Sequence, residues 1–249
     1  MSDATDPATE AAWAYERLHV DALFRQWTEP VLAAAGVGPG DHVLDVACGT
    51  GVLARAALDL VGGDGAVTGV DLGDGMLAVA SQLEPRVTWR SADAASLPFD
   101  DNTFDAVVSQ FGLMFFDDKV TSIREMLRCA RPGAKVAVAV WDALERSPAF
   151  ATSVDLLERR AGQTAADALR APFVLGAVTE LHTLLGAAGA DVVSTHTASG
   201  TARFPSVRSM VEADLRGWLP LMGVELDGEL IESILDDADI VLNEYVADD

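Results

Sequence analysis

The chain has 249 residues, half of them hydrophobic, with 22% charged and 6% aromatic residues. That suits one α/β domain with insertions and a sizeable core, and it excludes a disordered chain. A formal net charge of −22 repels phosphate backbones and excludes DNA or RNA as the main partner.

Only Lys119 and Lys135 are lysines among the 17 basic residues. An acidic, lysine-poor chain fits either adaptation to high salt or an arginine-rich, high-GC genome. No run reaches the ~18 consecutive apolar residues of a membrane span. Met1–Glu10 is acidic and polar, without the basic and apolar regions of a secretory signal, so a cytoplasmic protein is expected. Cys48 and Cys129 make no disulfide framework, and His19, His42, His182 and His196 are scattered. Neither set has metal-ligand spacing, so no metal site is expected.

In chain order, residues 1–10 read as a flexible tail. Residues 11–35 have helical periodicity, with Pro30 at a break or in the first turn of a second helix, and form an N-terminal cap. Gly36–Gly40 is a loop. An alternation follows. Strands are predicted at His42–Ala47, Ala66–Asp71, Arg86–Arg90, Phe104–Ser109 and Lys135–Trp141, and helices at Val52–Val61, Asp74–Leu83 and Val120–Ala130. Arg131-Pro132-Gly133 is a turn before the fifth strand.

Strands alternating with helices imply a Rossmann-like α/β fold, a doubly wound and mostly parallel sheet covered on both faces. After Trp141 the pattern weakens. Ser147–Leu169, Thr179–Ala188, Val207–Leu219 and Leu226–Val241 read as helices, and Asp191–Phe204 as strand-like. The expected organisation is a single domain over 11–249. Its ligand-binding core is 36–141, and a helical lid insertion occupies about 142–249.

The sharpest chemical signal is Val43-Leu44-Asp45-Val46-Ala47-Cys48-Gly49-Thr50-Gly51. Gly49 and Gly51 let backbone approach a ligand just beyond a strand's carboxyl end, where open α/β sheets bind nucleotide-like molecules. Gly49-x-Gly51-x-x-Ala54, with Asp71 placed 20 residues past Gly51, also fits a dinucleotide fingerprint, so an NAD(P)-dependent oxidoreductase is one reading. Asp45 argues against it, because a carboxylate there repels a pyrophosphate and suits an ammonium. Asp71 can accept hydrogen bonds from a ribose diol of either ligand.

These residues resemble class I S-adenosylmethionine (SAM)-dependent methyltransferases. Val43–Gly51 looks like their motif I, and Gly69-Val70-Asp71-Leu72 like the acidic motif II. Ser91–Ala94, Leu97–Asp100 and Phe104–Val107 look like the adenine-binding and fourth-strand motifs, followed by Arg131-Pro132-Gly133. The pattern covers roughly residues 40–141 and is nearest the broad group that includes ubiquinone/menaquinone-biosynthesis methyltransferases.

The resemblance implies SAM as cofactor, S-adenosylhomocysteine (SAH) as product, and methyl transfer to a small molecule by SN2 displacement. Gly49 and Gly51 would pass beneath the methionine end, beside Ala47, with Asp45 on its amino group and the Gln110 carbonyl on its ammonium. Asp71 would hold the ribose hydroxyls, Leu72 and Met76 would pack on adenine, and Asp93 and the Ala94 N–H would meet its edge. Phe111 would border the methyl. Similar enzymes close the sheet with an antiparallel seventh strand. Here Glu244–Asp249 ends about where that strand would begin, so either the sequence is truncated or another segment fills the edge.

No catalytic base is evident, and transfer from a sulfonium needs one only if the acceptor must lose a proton. Tyr15 and His19 on the cap are the candidates. Phe111, Phe115 and Trp141 are candidate acceptor contacts, with Met114, Phe116, Phe150, Phe173, Trp218 and Met222 as further walls of an apolar pocket. A SAM-binding protein without transferase activity remains an alternative. The acceptor atom and the oligomeric state, a homodimer included, stay open.

Overall fold

The computed structural model describes residues 6–247. Five strands form one parallel sheet: β1 (His42–Val46), β2 (Ala66–Asp71), β3 (Thr88–Ser91), β4 (Phe104–Gln110) and β5 (Ala130–Ala139). Their spatial order is β3-β2-β1-β4-β5. The chain winds outward from β1 through β2 to β3, then returns to β4 on the other side of β1. That reversal opens a crevice at the carboxyl ends of β1 and β4.

The strands are near-continuous apolar runs because both faces are covered. One face, with Val43, Val67, Ala106 and Val108, packs on α2 (Thr28–Ala35) and α3 (Val52–Val61). The other, with Leu44, Val46, Val70 and Val107, packs on α5 (Lys119–Cys129) through Met126 and Cys129. α4 (Asp74–Leu83) follows β2. The predicted Arg131-Pro132-Gly133 turn is a bulge inside β5. Ala130 pairs with Phe104 and Lys135 with Ala106, so four residues loop out, with Gly133 at φ 87°.

The N-terminal cap starts earlier than its periodicity suggests. Pro7 occupies the first turn of α1 (Pro7–Tyr15), so Pro7–Glu10 is helical; residues 1–5 of the expected tail lie outside the described residues. The chain continues as a π-helical segment, Glu16–Phe24. The break falls at Phe24–Trp27, ahead of Pro30, which sits in the first turn of α2.

Beyond β5, the predicted Ser147–Leu169 helix is two, α6 (Pro148–Ala161) and α7 (Gln163–Arg170), parted by Gly162 at φ 86°. α8 (Val178–Ala188) ends on left-handed Gly189. α9 (Val207–Ala213) runs into a second π-helical segment, Asp214–Trp218, then α10 (Leu219–Leu221) and α11 (Gly228–Val241). α6, α7, α9 and α11 share their own core around Leu157, Leu169, Leu215, Ile234 and Leu235. Asp191–Phe204 is not a strand: it joins no sheet and is mostly exposed. A strand exists through its ladder, and here the backbone finds only isolated partners, Gln26 at Thr201 and Ala22 O at Arg203. β5 is therefore the sheet's edge among the described residues. Chain-end residues 248 and 249 lie outside them.

Gly51 carries a packing constraint. A Cβ there would stand 2.3 Å from Cη2 of Trp89, and its φ is 86°. Gly51→Ala is expected to cost about 2–4 kcal/mol, from left-handed strain plus overpacking. Gly40→Ala, at φ 84° with open space around it, is expected to cost only about 1–2 kcal/mol. Urea denaturation of the two variants checks the difference.

Candidate functional site

The crevice deepens into a cavity of about 830 Å³ between the strand ends and the cap. Its floor is the β1 exit. Ala47 and Gly49 both adopt left-handed backbone, at φ 59° and 55°. Phe111, at the β4 exit, does the same at φ 56°. For residues other than glycine this conformation costs about 1–2 kcal/mol each. The two exits press together: a Cβ on Gly112 would lie 2.6 Å from Cβ of Ala47.

Asp71 joins two loops. Its Oδ2 accepts the Gly49 N–H at 2.8 Å and its Oδ1 the Gly73 N–H at 2.8 Å. Burial raises its pKa, against the lowering effect of those bonds. Each oxygen keeps a lone pair for a further donor. Asp45 is 1% exposed. Its Oδ2 accepts the Ala54 N–H at 3.0 Å, whereas Oδ1 has no partner. Burial pushes Asp45 up to about 8, the Ala54 bond opposing and the Asp71 charge adding to the rise. A buried carboxylate oxygen without a donor is costly, and an ammonium would satisfy it. Cys48, buried beside both carboxylates, has its thiol pushed well up by burial and by their charges, so it stays protonated.

The cap closes the cavity from above. Tyr15 hangs over the glycine turn; a Cβ on Gly49 would be 3.9 Å from its Cε1. Burial, then Asp71 and Glu16, raise the Tyr15 pKa. α1 lies against α4, where a Cβ on Gly75 would meet the Ala8 carbonyl at 2.4 Å. Gln110 Nε2 donates to the Phe24 carbonyl at 3.1 Å, and Arg55 pairs with Glu16 at 2.7 Å. These contacts tie cap to core.

The structure thus places Tyr15, His19, Asp45, Ala47, Gly49, Asp71, Leu72, Met76, Ala94, Gln110, Phe111, Phe115 and Trp141 around one cavity. Leu72 is 68% exposed at the mouth. Three expected members do not line it; Met114 is buried in a separate core cluster with Leu113 and Ile123. Gly51 is used for packing against Trp89. Asp93 is exposed, its Oδ1 accepting the Ala95 N–H at 2.8 Å. Among the wall residues that escaped the sequence reading is Asp214, buried opposite His19. Its signal is its position on the apolar stripe of Val207, Met210, Val211, Leu215 and Trp218.

A doubly wound sheet with a glycine turn and an acidic second strand end is shared by several folds that bind nucleotide-like cofactors, and the comparisons point to methyltransferases among them. Residues 43–133 match the model of a family described as a methyltransferase domain. That region is related to quinone-biosynthesis methyltransferases. The demethylmenaquinone methyltransferase of Renibacterium salmoninarum is 42% identical over 119 residues, 46% of this chain and 47% of the relative. The ubiquinone/menaquinone biosynthesis C-methyltransferase of Shewanella sediminis is 39% identical over 122 residues, 47% of this chain and 49% of the relative. The match spans about half the length of these relatives. A structure of a SAM-dependent methyltransferase from Methanococcus maripaludis, so described provisionally, shares the fold. Its TM-score is 0.56 at 19% identity, with 81% of this chain and 93% of that one covered. Among the described residues no three His, Cys, Asp or Glu groups could hold a metal ion. No single described helix is long and apolar enough to cross a membrane.

The Arg55–Glu16 pair should govern cap closure. Arg55→Ala leaves the half-buried Glu16 carboxylate unpaired. Hydrogen exchange across residues 7–24 is expected to accelerate at least about tenfold, equivalent to ~1.4 kcal/mol of lost protection, with β1 and β4 unchanged. Mass-spectrometric exchange measures it.

Proposed function

We propose that this protein is a SAM-dependent methyltransferase, acting in the cytoplasm on a small, apolar, aromatic acceptor. The observation that carries the reading is the unpaired Oδ1 of Asp45, buried in the same cavity as Gly49 and Asp71 within the segment matched by the methyltransferase family. An ammonium-bearing ligand satisfies that oxygen. A pyrophosphate does not, which disfavours the oxidoreductase reading.

SAM supplies the electrophilic methyl. The protein's own residues bind and align. Asp45 holds the amino group and Asp71 the ribose hydroxyls through its remaining lone pairs. Leu72, Met76 and Ala94 give adenine an apolar slot at the mouth. Phe111 and Trp141, stacked at 4.8 Å, form with Phe150 and Phe173 a flat-walled compartment for the acceptor. Those walls and the names of the relatives together support an aromatic, quinone-like acceptor.

Isothermal titration calorimetry is expected to show micromolar binding of SAM and SAH and none of NADH; binding of NADH alone would overturn the proposal. Binding carries a pH signature. The free Asp45 carboxyl, at about 8, must ionise to meet the ammonium. SAH affinity should therefore rise with pH toward 8 and be about fifty-fold weaker at pH 6 than at pH 8. Asp45→Asn should bind more weakly and lose that dependence. Methyl transfer to a naphthoquinol probe distinguishes an enzyme from a binding protein.

A further inference from the structure

The acceptor half of the cavity is aromatic, and one polar pair interrupts it. His19, from the π-helical segment after α1, is 2% exposed, and Asp214, from the one after α9, is 4% exposed. His19 Nε2 stands 3.8 Å from Asp214 Oδ1, too long for a direct hydrogen bond. Neither ring nitrogen has a partner, nor has Asp214 Oδ2. Three polar atoms at one buried point of the cavity wall thus lack partners, a cost that a ligand hydroxyl would relieve.

The geometry around the imidazole is built. Tyr15 stacks on it at 5.6 Å, with Phe24 beyond at 6.5 Å. Gly217 lets the opposing backbone reach the ring; a Cβ there would stand 3.0 Å from Cε1 of His19. π-Helical turns are rare and concentrate at functional sites, and each member of this pair comes from one. The other titratable groups lining the cavity are Tyr15, Asp45, Cys48, Asp71 and Asp74. Asp214 is the carboxylate seen to pair with His19; Glu16, on the same segment, is engaged by Arg55.

We infer that His19 is the catalytic base of this site, that Asp214 is its positioning residue, and that the acceptor is a hydroxylated aromatic which must lose its phenolic proton. The inference rests on the SAM-methyltransferase reading. The acceptor's O–H bond breaks and its proton passes to a His19 ring nitrogen, with Asp214 stabilising the imidazolium. An electron pair on the phenolate oxygen forms the bond to the methyl carbon. The methyl–sulfur bond breaks, its pair stays on sulfur as SAH, and the imidazolium returns its proton to solvent. Burial raises the Asp214 pKa, which the facing His19 opposes.

The test uses the full chain saturated with SAH and 4-nitrophenol as the probe, read by its phenolate absorbance one pH unit below its solution pKa. The wild type should hold the bound probe largely as phenolate. His19→Gln should return that fraction to about the tenth that is ionised in free solution. Asp214→Asn should lower it less. SAH affinity within about threefold of wild type reports that a variant is folded, and either variant that keeps it decides the matter. An unchanged phenolate fraction in such a variant overturns the inference, as does a wild type that binds SAH but not the phenol. A wild type that fails to bind SAH overturns the methyltransferase reading itself.

Discussion

Asp71 holds the site together before any ligand arrives. One carboxylate takes the Gly49 N–H with one oxygen and the Gly73 N–H with the other, so the first bond sets the exits of β1 and β2 relative to each other and the second fixes the β2 exit itself. Asp45 does the same within the β1 exit, fixing the first turn of α3 through Ala54. The left-handed backbone at Ala47 and Gly49 follows, because the turn must present its amides to these oxygens. The cost of burying two acids is offset partly by those bonds. The remainder appears as raised proton affinity and as an oxygen of Asp45 that still wants a donor.

Most of this floor was legible in the sequence, because it is local. Strand runs of four to seven apolar-rich residues, a glycine turn and an acid at the next strand end are read within thirty residues of one another, and β2 falls where its pattern places it. Gly51 shows the limit of motif reasoning. Its spacing suggests a ligand contact, but its missing side chain is taken up by Trp89, a residue from β3 that no local pattern links to it. Asp191–Phe204 shows another. Its composition suits a strand, yet strand identity depends on a partner edge, a non-local fact that propensity does not contain.

The acceptor half was harder to read for the same reason. Aromatic residues after β4 and β5 could be core or wall, and the structure makes several of them both. Phe111 and Trp141 line the cavity and also pack against buried Leu113 and Met114. Asp214 is the clearest omission. It sits far from His19 in sequence, and only its place on an otherwise apolar stripe marks it as unusual. A charged residue at such a position is expensive unless it meets a partner, and the partner comes from the opposite end of the chain.

The cavity therefore has two chemistries separated by construction. Its sheet side is made of strand ends, where backbone amides and two acids favour a polar, cationic ligand. Its other side combines cap and lid helices with the rings of Phe111 and Trp141 just past β4 and β5, a setting that favours a flat apolar one. The helical lid has a core of its own around Leu157 and Ile234, distinct from the two cores that flank the sheet. α8 is the part of it that packs back on α5 and β5, through Leu181, Leu184 and Ala188. In a fold that hosts many reactions, the polar side of the cavity is held by strand ends and the apolar side partly by helices from both ends of the chain. His19 and Asp214 meet where those helices face each other.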